Sequence, residues 1–181
     1  DRSHAPAGWC TEFARRVTDV VLDGSSAFSK DDAVRAGRKC LERGPVRVKP
    51  ATGIGGVGQL TVDSASKLAE ALDAIEPEAL AGSGVVIEQN LLDVTTYSVG
   101  QVRVAGVIAS YHGVQHLTTN NRGLEVYGGS GLTVVRGDFD ALLALPMPDE
   151  LRLAIVQART YDQTASECFE GFFASRRNYD V

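Results

Sequence analysis

The sequence predicts an α+β fold, and three observations carry the prediction. Two capped helical blocks flank a glycine-rich stretch, "VRVKPATGIGGVGQLTV", with strand-like residues on both sides. From Thr95 the apolar period changes to about two, as in an antiparallel meander. With 181 residues and 44% hydrophobic composition, the chain is long enough to bury a core as one domain or two small subdomains.

Each element has its own warrant. Gly8 to Val17 has faint helical character, and "TDVVLDG" after it reads as a short strand running into a turn. Ser29 or Asp31 caps a helix in which Ala33, Val34, Gly37, Cys40 and Leu41 recur at helical spacing. Arg38, Lys39 and Arg43 suit its C-terminal end, and Gly44-Pro45 stops it. "VRVKP" and "QLTV" are the two strands around the glycines. Asp63 or Ser64 caps a second helix with Leu68, Leu72 and Ile75 on one face, ended by Pro77. "GVVIEQNL" is a buried strand leading into a linker. The meander follows, with Gly100, Gly106 and Gly113 at its bends. "NNRGLEVYGGSG" reads as a polar glycine-rich connection, "LTVVRG" as a strand, and two helices start near Asp138 and Asp149, the second reaching Cys168. "GFFASRRNYDV" supplies a last strand.

Composition narrows the function classes. The net charge of −5, with both signs interspersed, lacks the basic footprint of a nucleic-acid binder and points to small molecules or proteins as partners. Cys10, Cys40 and Cys168 are far apart and odd in number, which fits neither a disulfide framework nor a zinc site. No apolar run nears the roughly 18 residues of a membrane span, and no signal pattern opens the chain, so no membrane role and a cytoplasmic location are expected. The only methionine is Met147 and the sequence ends after a strand-like run, which reads as a piece of a longer protein.

The residues Gly53-Ile54-Gly55-Gly56-Val57-Gly58 match the G-x-G-x-x-G spacing of dinucleotide-binding folds. That fingerprint needs a helix directly after the loop, so that the pyrophosphate rests on its N-terminus. Here Gln59-Leu60-Thr61-Val62 favours a strand instead, and no Gly-Lys-Ser/Thr follows to make a Walker loop. What remains is a hairpin with a tip that is nearly all backbone. A hairpin tip needs one or two glycines, and each further one costs about 0.5–1 kcal/mol, so the surplus indicates close approach to a ligand, with N–H groups open to an anion. Lys49, on the strand entering the hairpin, would find its counter-charge in a phosphate. His112 and His116, four apart in a strand, lack a third ligand for a metal site. Arg103 and Arg122 are further cations able to meet an acidic ligand.

The order strand-Lys-Pro, glycine hairpin, strand, helix, strand ending in Glu and a "Tyr-Ser-Val" strand resembles the ATP-grasp superfamily. "GPVRVKPATGIGGVGQ", "EQNLLDVTTYSVGQVRVAG" and "SRRNYDV" more closely resemble an uncharacterised bacterial family of unknown function related to it, over nearly the whole chain from about Phe28. The resemblance implies an ATP-grasp-like α+β architecture: an N-terminal segment (1–28), a glycine-hairpin lid subdomain (29–92) and a truncated antiparallel sheet subdomain flanked by helices (93–181). The superfamily's N-terminal α/β domain is missing from the stretch in hand.

It also implies ATP and Mg²⁺ as cofactors. Lys49 matches the lysine on the α and β phosphates, and Gly55, Gly56 and Gly58 match the lid over the triphosphate. Glu88, Gln89, Asn90 and Leu91 match the hinge segment that holds the nucleoside, while Thr95 or Thr96 stands where many members carry a ribose-binding glutamate. Arg177 and Asp180 resemble the catalytic arginine and the first metal carboxylate. The implied activity joins a carboxylate to an amine or thiol through an acylphosphate, with those small molecules as partners and self-association left open. A nucleotide-binding or interaction module without catalysis is the alternative, and a nicotinamide- or flavin-binding domain a weaker one.

Overall fold

The computed structural model describes residues 4–53, 58–119, 121, 123, 125–172 and 176–181. The chain divides into two compact units, Asp1–Thr11 with Leu22–Leu92 and Glu12–Val21 with Asp93–Val181. The overall class is α+β, with an antiparallel sheet and helices in each unit.

In the first unit, strands β1 (Gly24–Ala27), β2 (Val46–Pro50), β3 (Leu60–Val62) and β4 (Val85–Gln89) form a sheet in the order β1-β4-β2-β3, antiparallel throughout. Helices α2 (Lys30–Leu41), α3 (Ala65–Asp73) and α4 (Pro77–Ser83) pack on it. Ser29 caps α2 by accepting a hydrogen bond from the Asp32 amide at 3.3 Å, and Ser64 caps α3 through the Lys67 amide. The core joins Val46, Val48, Val85 and Ile87 from the strands to Ala33, Leu68, Ala71, Leu72 and Leu80 from the helices. Alternation thus sends Val46 and Val48 inward and leaves Arg47 and Lys49 on the opposite face.

In the second unit, β5 (Tyr97–Val104), β6 (Val107–Thr119), β7 (Glu125–Arg136) and β8 (Arg176–Asp180) form an antiparallel sheet ordered β7-β6-β5-β8. Helices α5 (Phe139–Leu143) and α6 (Asp149–Cys168) pack Phe139, Leu142, Leu151, Ile155 and Ala158 against Val99. Leu151, Ala154, Ile155 and Ala158 recur at three- and four-residue steps along α6, and Ala165 follows two turns on. Phe13 of α1 (Thr11–Arg16) packs edge-on to Tyr161, their ring centroids 5.0 Å apart.

Several expectations are corrected. "TDVVLDG" is not a strand: a 3₁₀ turn occupies Thr18–Val20 and the strand is displaced to Gly24–Ala27, where pairing with β4 supplies its hydrogen bonds. Pro77 opens α4 rather than closing α3, using the N-terminal position where its missing N–H costs nothing. Gly100 and Gly113 lie within strands, and the bend is made by Ala105-Gly106, both at positive φ as a two-residue hairpin turn requires. The glycines after Glu125 belong to β7, whose pairing with β6 runs from Thr119↔Glu125 to Ala109↔Arg136.

Candidate functional site

On the open face of the first unit's sheet, β2 and β4 place opposite charges together. The register sets Arg47 beside Glu88 and Lys49 beside Val86, so Lys49 and Glu88 are diagonal neighbours. Lys49 Nζ lies 2.6 Å from Glu88 Oε1, with the side chains 30% and 15% exposed. Glu88 thus supplies Lys49 with a counter-charge from within the chain, where the sequence reading looked to a phosphate. Arg47 turns instead to Asn90, its Nε and Nη2 donating to Asn90 Oδ1 at 3.2 and 2.9 Å. The Asn90 amide is anchored by the Pro45 carbonyl at 3.0 Å. Gln89 ends β4 and is exposed, and Leu91 beyond it is exposed as well. Gly58 has φ +80 and faces Pro50, whereas Gly55 and Gly56 lie outside the described residues. The structure thus brings Lys49 to Glu88 across β2 and β4 and sets Asn90 just past the end of β4 against Arg47, a residue the sequence reading missed.

In the second unit, β8 separates two residues that the sequence reading joined. Arg177 and Asp180 are three apart, and a strand sends such residues to opposite faces. Arg177 is turned to the helix side, where Nε lies 2.6 Å from Asp162 Oδ1 and Nη2 donates to Gln101 Oε1 at 2.7 Å. Gln101, only 2% exposed, passes the chain of contacts on to Ser110 and thence to the Gly137 carbonyl. Tyr179 donates its hydroxyl to Asp162 Oδ1 at 2.6 Å, and burial together with that carboxylate pushes its phenol well above the usual range. Arg177 belongs to the packing between sheet and helix.

Asp180 shares the other face with Arg176 and Asn178. Its Oδ1 accepts from Gln115 Nε2 at 2.7 Å and from Asn178 Nδ2 at 2.9 Å. Gln115 Nε2 also donates to Ser98 Oγ at 3.0 Å. Tyr111 donates to Asn178 Oδ1 at 3.1 Å, and burial raises its phenol, opposed by Arg176 and assisted by Asp180. Arg176, Asn178, Gln115 and Tyr111 were all missed as site residues, although period-two counting back from Asp180 would have found the first two. Thr95 and Thr96 lie in the segment before β5. Burial lowers the His112 imidazole below its ordinary range. Among the described residues no three His, Cys, Asp or Glu side chains gather into a metal cage, and no helix is long and apolar enough to cross a membrane.

Comparison with known families decides the kinship. The family model described as protein of unknown function (DUF3182) matches residues 1–181. The chain belongs to the DUF3182 family. Curated proteins give no match to this DUF3182 chain. Among solved structures it is similar to D-alanyl-alanine synthetase A from Vibrio cholerae, at 16% identity and a TM-score of 0.51, covering 85% of this chain and 43% of that one. A D-alanine–D-alanine ligase from Bacillus anthracis matches at 15% identity and 0.51, over 93% and 49%. An N5-carboxyaminoimidazole synthetase from Staphylococcus aureus complexed with ADP matches at 15% and 0.50, over 92% and 38%. These are ATP-grasp ligases, and the DUF3182 chain has the fold of part of such an enzyme, spanning less than half the length of each.

Proposed function

We propose that this DUF3182 protein binds ATP and uses it to join a carboxylate to an amine or a thiol. The observation that carries the reading is the Lys49–Glu88 pair on the open face of the strand that enters the glycine hairpin, within an ATP-grasp fold. A lysine held 2.6 Å from a half-buried carboxylate is oriented before any ligand arrives, and a triphosphate then supplies a second, stronger set of acceptor oxygens. In this reading Lys49 meets the α and β phosphates, the amides around Gly55, Gly56 and Gly58 cover them, and Glu88, Gln89, Asn90 and Leu91 hold the nucleoside. In the second unit, Arg176 lies on the face of Asp180, and Arg177 fixes β8 through Asp162 and Gln101.

A Mg²⁺ ion arriving with the nucleotide needs one or two protein oxygens, the rest coming from phosphate and water. The Asp180 carboxylate, whose Oδ1 accepts from Asn178 Nδ2, fits that hard-oxygen requirement through Oδ2, and an ion there would neutralise phosphate charge. In the reaction, a carboxylate oxygen bonds to the γ-phosphorus as the bridging P–O bond breaks and ADP leaves. The amine or thiol then attacks the acyl carbon, loses its proton and displaces phosphate. The protein's part is positioning and charge neutralisation.

Thermal unfolding of the full-length protein tests the binding step. Mg-ATP at about 100 times its Kd stabilises by about 2.7 kcal/mol, a rise of about 5–10 °C for a chain of this size, and NAD gives none. Lys49→Ala abolishes the shift; a variant that keeps the whole shift refutes the assignment. Thr95 and Thr96, in place of the ribose-binding glutamate, favour the second reading, a nucleotide-binding module without catalysis. Release of ADP in the presence of candidate acids and amines separates the two.

A further inference from the structure

Two side chains of β6 lie across β5 and grip β8. Gln115 passes over Ser98 to Asp180, and Tyr111 passes over Gly100 to Asn178. The second crossing depends on glycine, since a Cβ at Gly100 would stand 2.2 Å from the Tyr111 hydroxyl oxygen. Both amide donors that reach Asp180, from Gln115 and Asn178, bind the same oxygen, Oδ1. Oδ2 has no hydrogen bond among the described residues. An exposed aspartate on an edge strand ordinarily samples several rotamers in water. This one has its carboxylate plane set by donors from two other side chains, and Asn178 is itself set by Tyr111.

We propose that Gln115 is a positioning residue that presents Asp180 Oδ2 to a divalent cation bound with nucleotide, with Tyr111 supporting it through Asn178. Gln115 supplies N–H to the carboxylate and does not itself touch the ion. Its neutral amide orients the aspartate without adding a charge that competes for the cation or repels the phosphates. The inference rests on the reading of Asp180 as a metal carboxylate, and outer partners of this kind are worth roughly 10–100-fold in metal affinity.

The test measures Mn²⁺ affinity by electron paramagnetic resonance on the full-length protein saturated with a non-hydrolysable ATP analogue. Binding of a fluorescent nucleotide in the absence of metal serves as a control for folding. Gln115→Met, which keeps the length of the side chain and loses its N–H donors, is expected to weaken Mn²⁺ at least about tenfold and to leave metal-free nucleotide binding within about twofold. Asp180→Asn is expected to remove the site. If Asp180→Asn leaves Mn²⁺ affinity intact, the metal reading itself fails and takes the proposal with it. If Asp180→Asn abolishes binding while Gln115→Met does not change it, Asp180 is a ligand that needs no positioning, and the proposal alone is overturned. Loss of metal-free nucleotide binding in Gln115→Met would assign the residue to the fold and likewise overturn it.

Discussion

Gly100→Ala separates a rigid contact from a movable one at a single position. An added methyl would lie 2.2 Å from the Tyr111 hydroxyl oxygen and 2.4 Å from the Arg177 carbonyl oxygen. The tyrosine sits at the end of a side chain and can swing away, giving up its bond to Asn178 at about 1 kcal/mol. The carbonyl is held in the β5–β8 ladder and can retreat only if the strands part, an overpacking cost of about 1–3 kcal/mol. Against this stands a gain of about 0.5–1 kcal/mol from replacing glycine in a strand. The net loss is about 1–3 kcal/mol. Urea denaturation followed by amide exchange in β5 and β8 assigns the loss to this sheet. In a Tyr111→Ala background the tyrosine part disappears and the carbonyl part stays, so the cost of Gly100→Ala falls by about 1 kcal/mol. An alanine at position 100 with an unchanged midpoint refutes the claim that the ladder is closed on a bare backbone.

Two other outcomes follow from the charges and phenols. Asp162→Ala leaves Arg177, 11% exposed, without its carboxylate and should cost about 3–5 kcal/mol by chemical denaturation, whereas Lys67→Ala, which breaks the exposed pair with Asp63, should cost under about 1 kcal/mol. Tyr179, Tyr161 and Tyr111 all have phenols raised by burial, so the unfolded chain ionises first: their stabilisation is complete below about pH 10 and is lost as pH climbs from there toward the folded values. Tyr179→Phe should flatten the fall in melting temperature between about pH 9 and 11, and an unchanged slope would show that Tyr179 is not the buried neutral phenol described.

The parts of the fold that the sequence revealed are those written in local chemistry. Ser29, Ser64 and Asp138 cap helices because their side-chain oxygens meet free N–H groups two or three residues on, and α6 shows its buried face at helical spacing. The hairpin strands β2 and β3 were equally plain, since β-branched residues flank the glycines. What was hidden depends on distant pairing. "GSSA" has little strand preference and becomes β1 because β4 lies beside it, and the glycine-rich half of β7 is a strand because β6 runs under it. At the site, Lys49 was legible from its position before the hairpin, but its partner Glu88 comes from a strand 39 residues on, joined only by register. Arg177 and Asp180 were read as a string, and counting in steps of two would have put them on opposite sides of β8.

That alternation divides the labour along five residues of chain. Arg177 and Tyr179 are committed to the helix side through Asp162, while Arg176, Asn178 and Asp180 are exposed on the other. Substitutions at exposed positions usually shift stability by no more than about 0.5 kcal/mol. Variation in sequence can therefore change the side chains displayed on one side of β8 while the other side keeps the sheet folded.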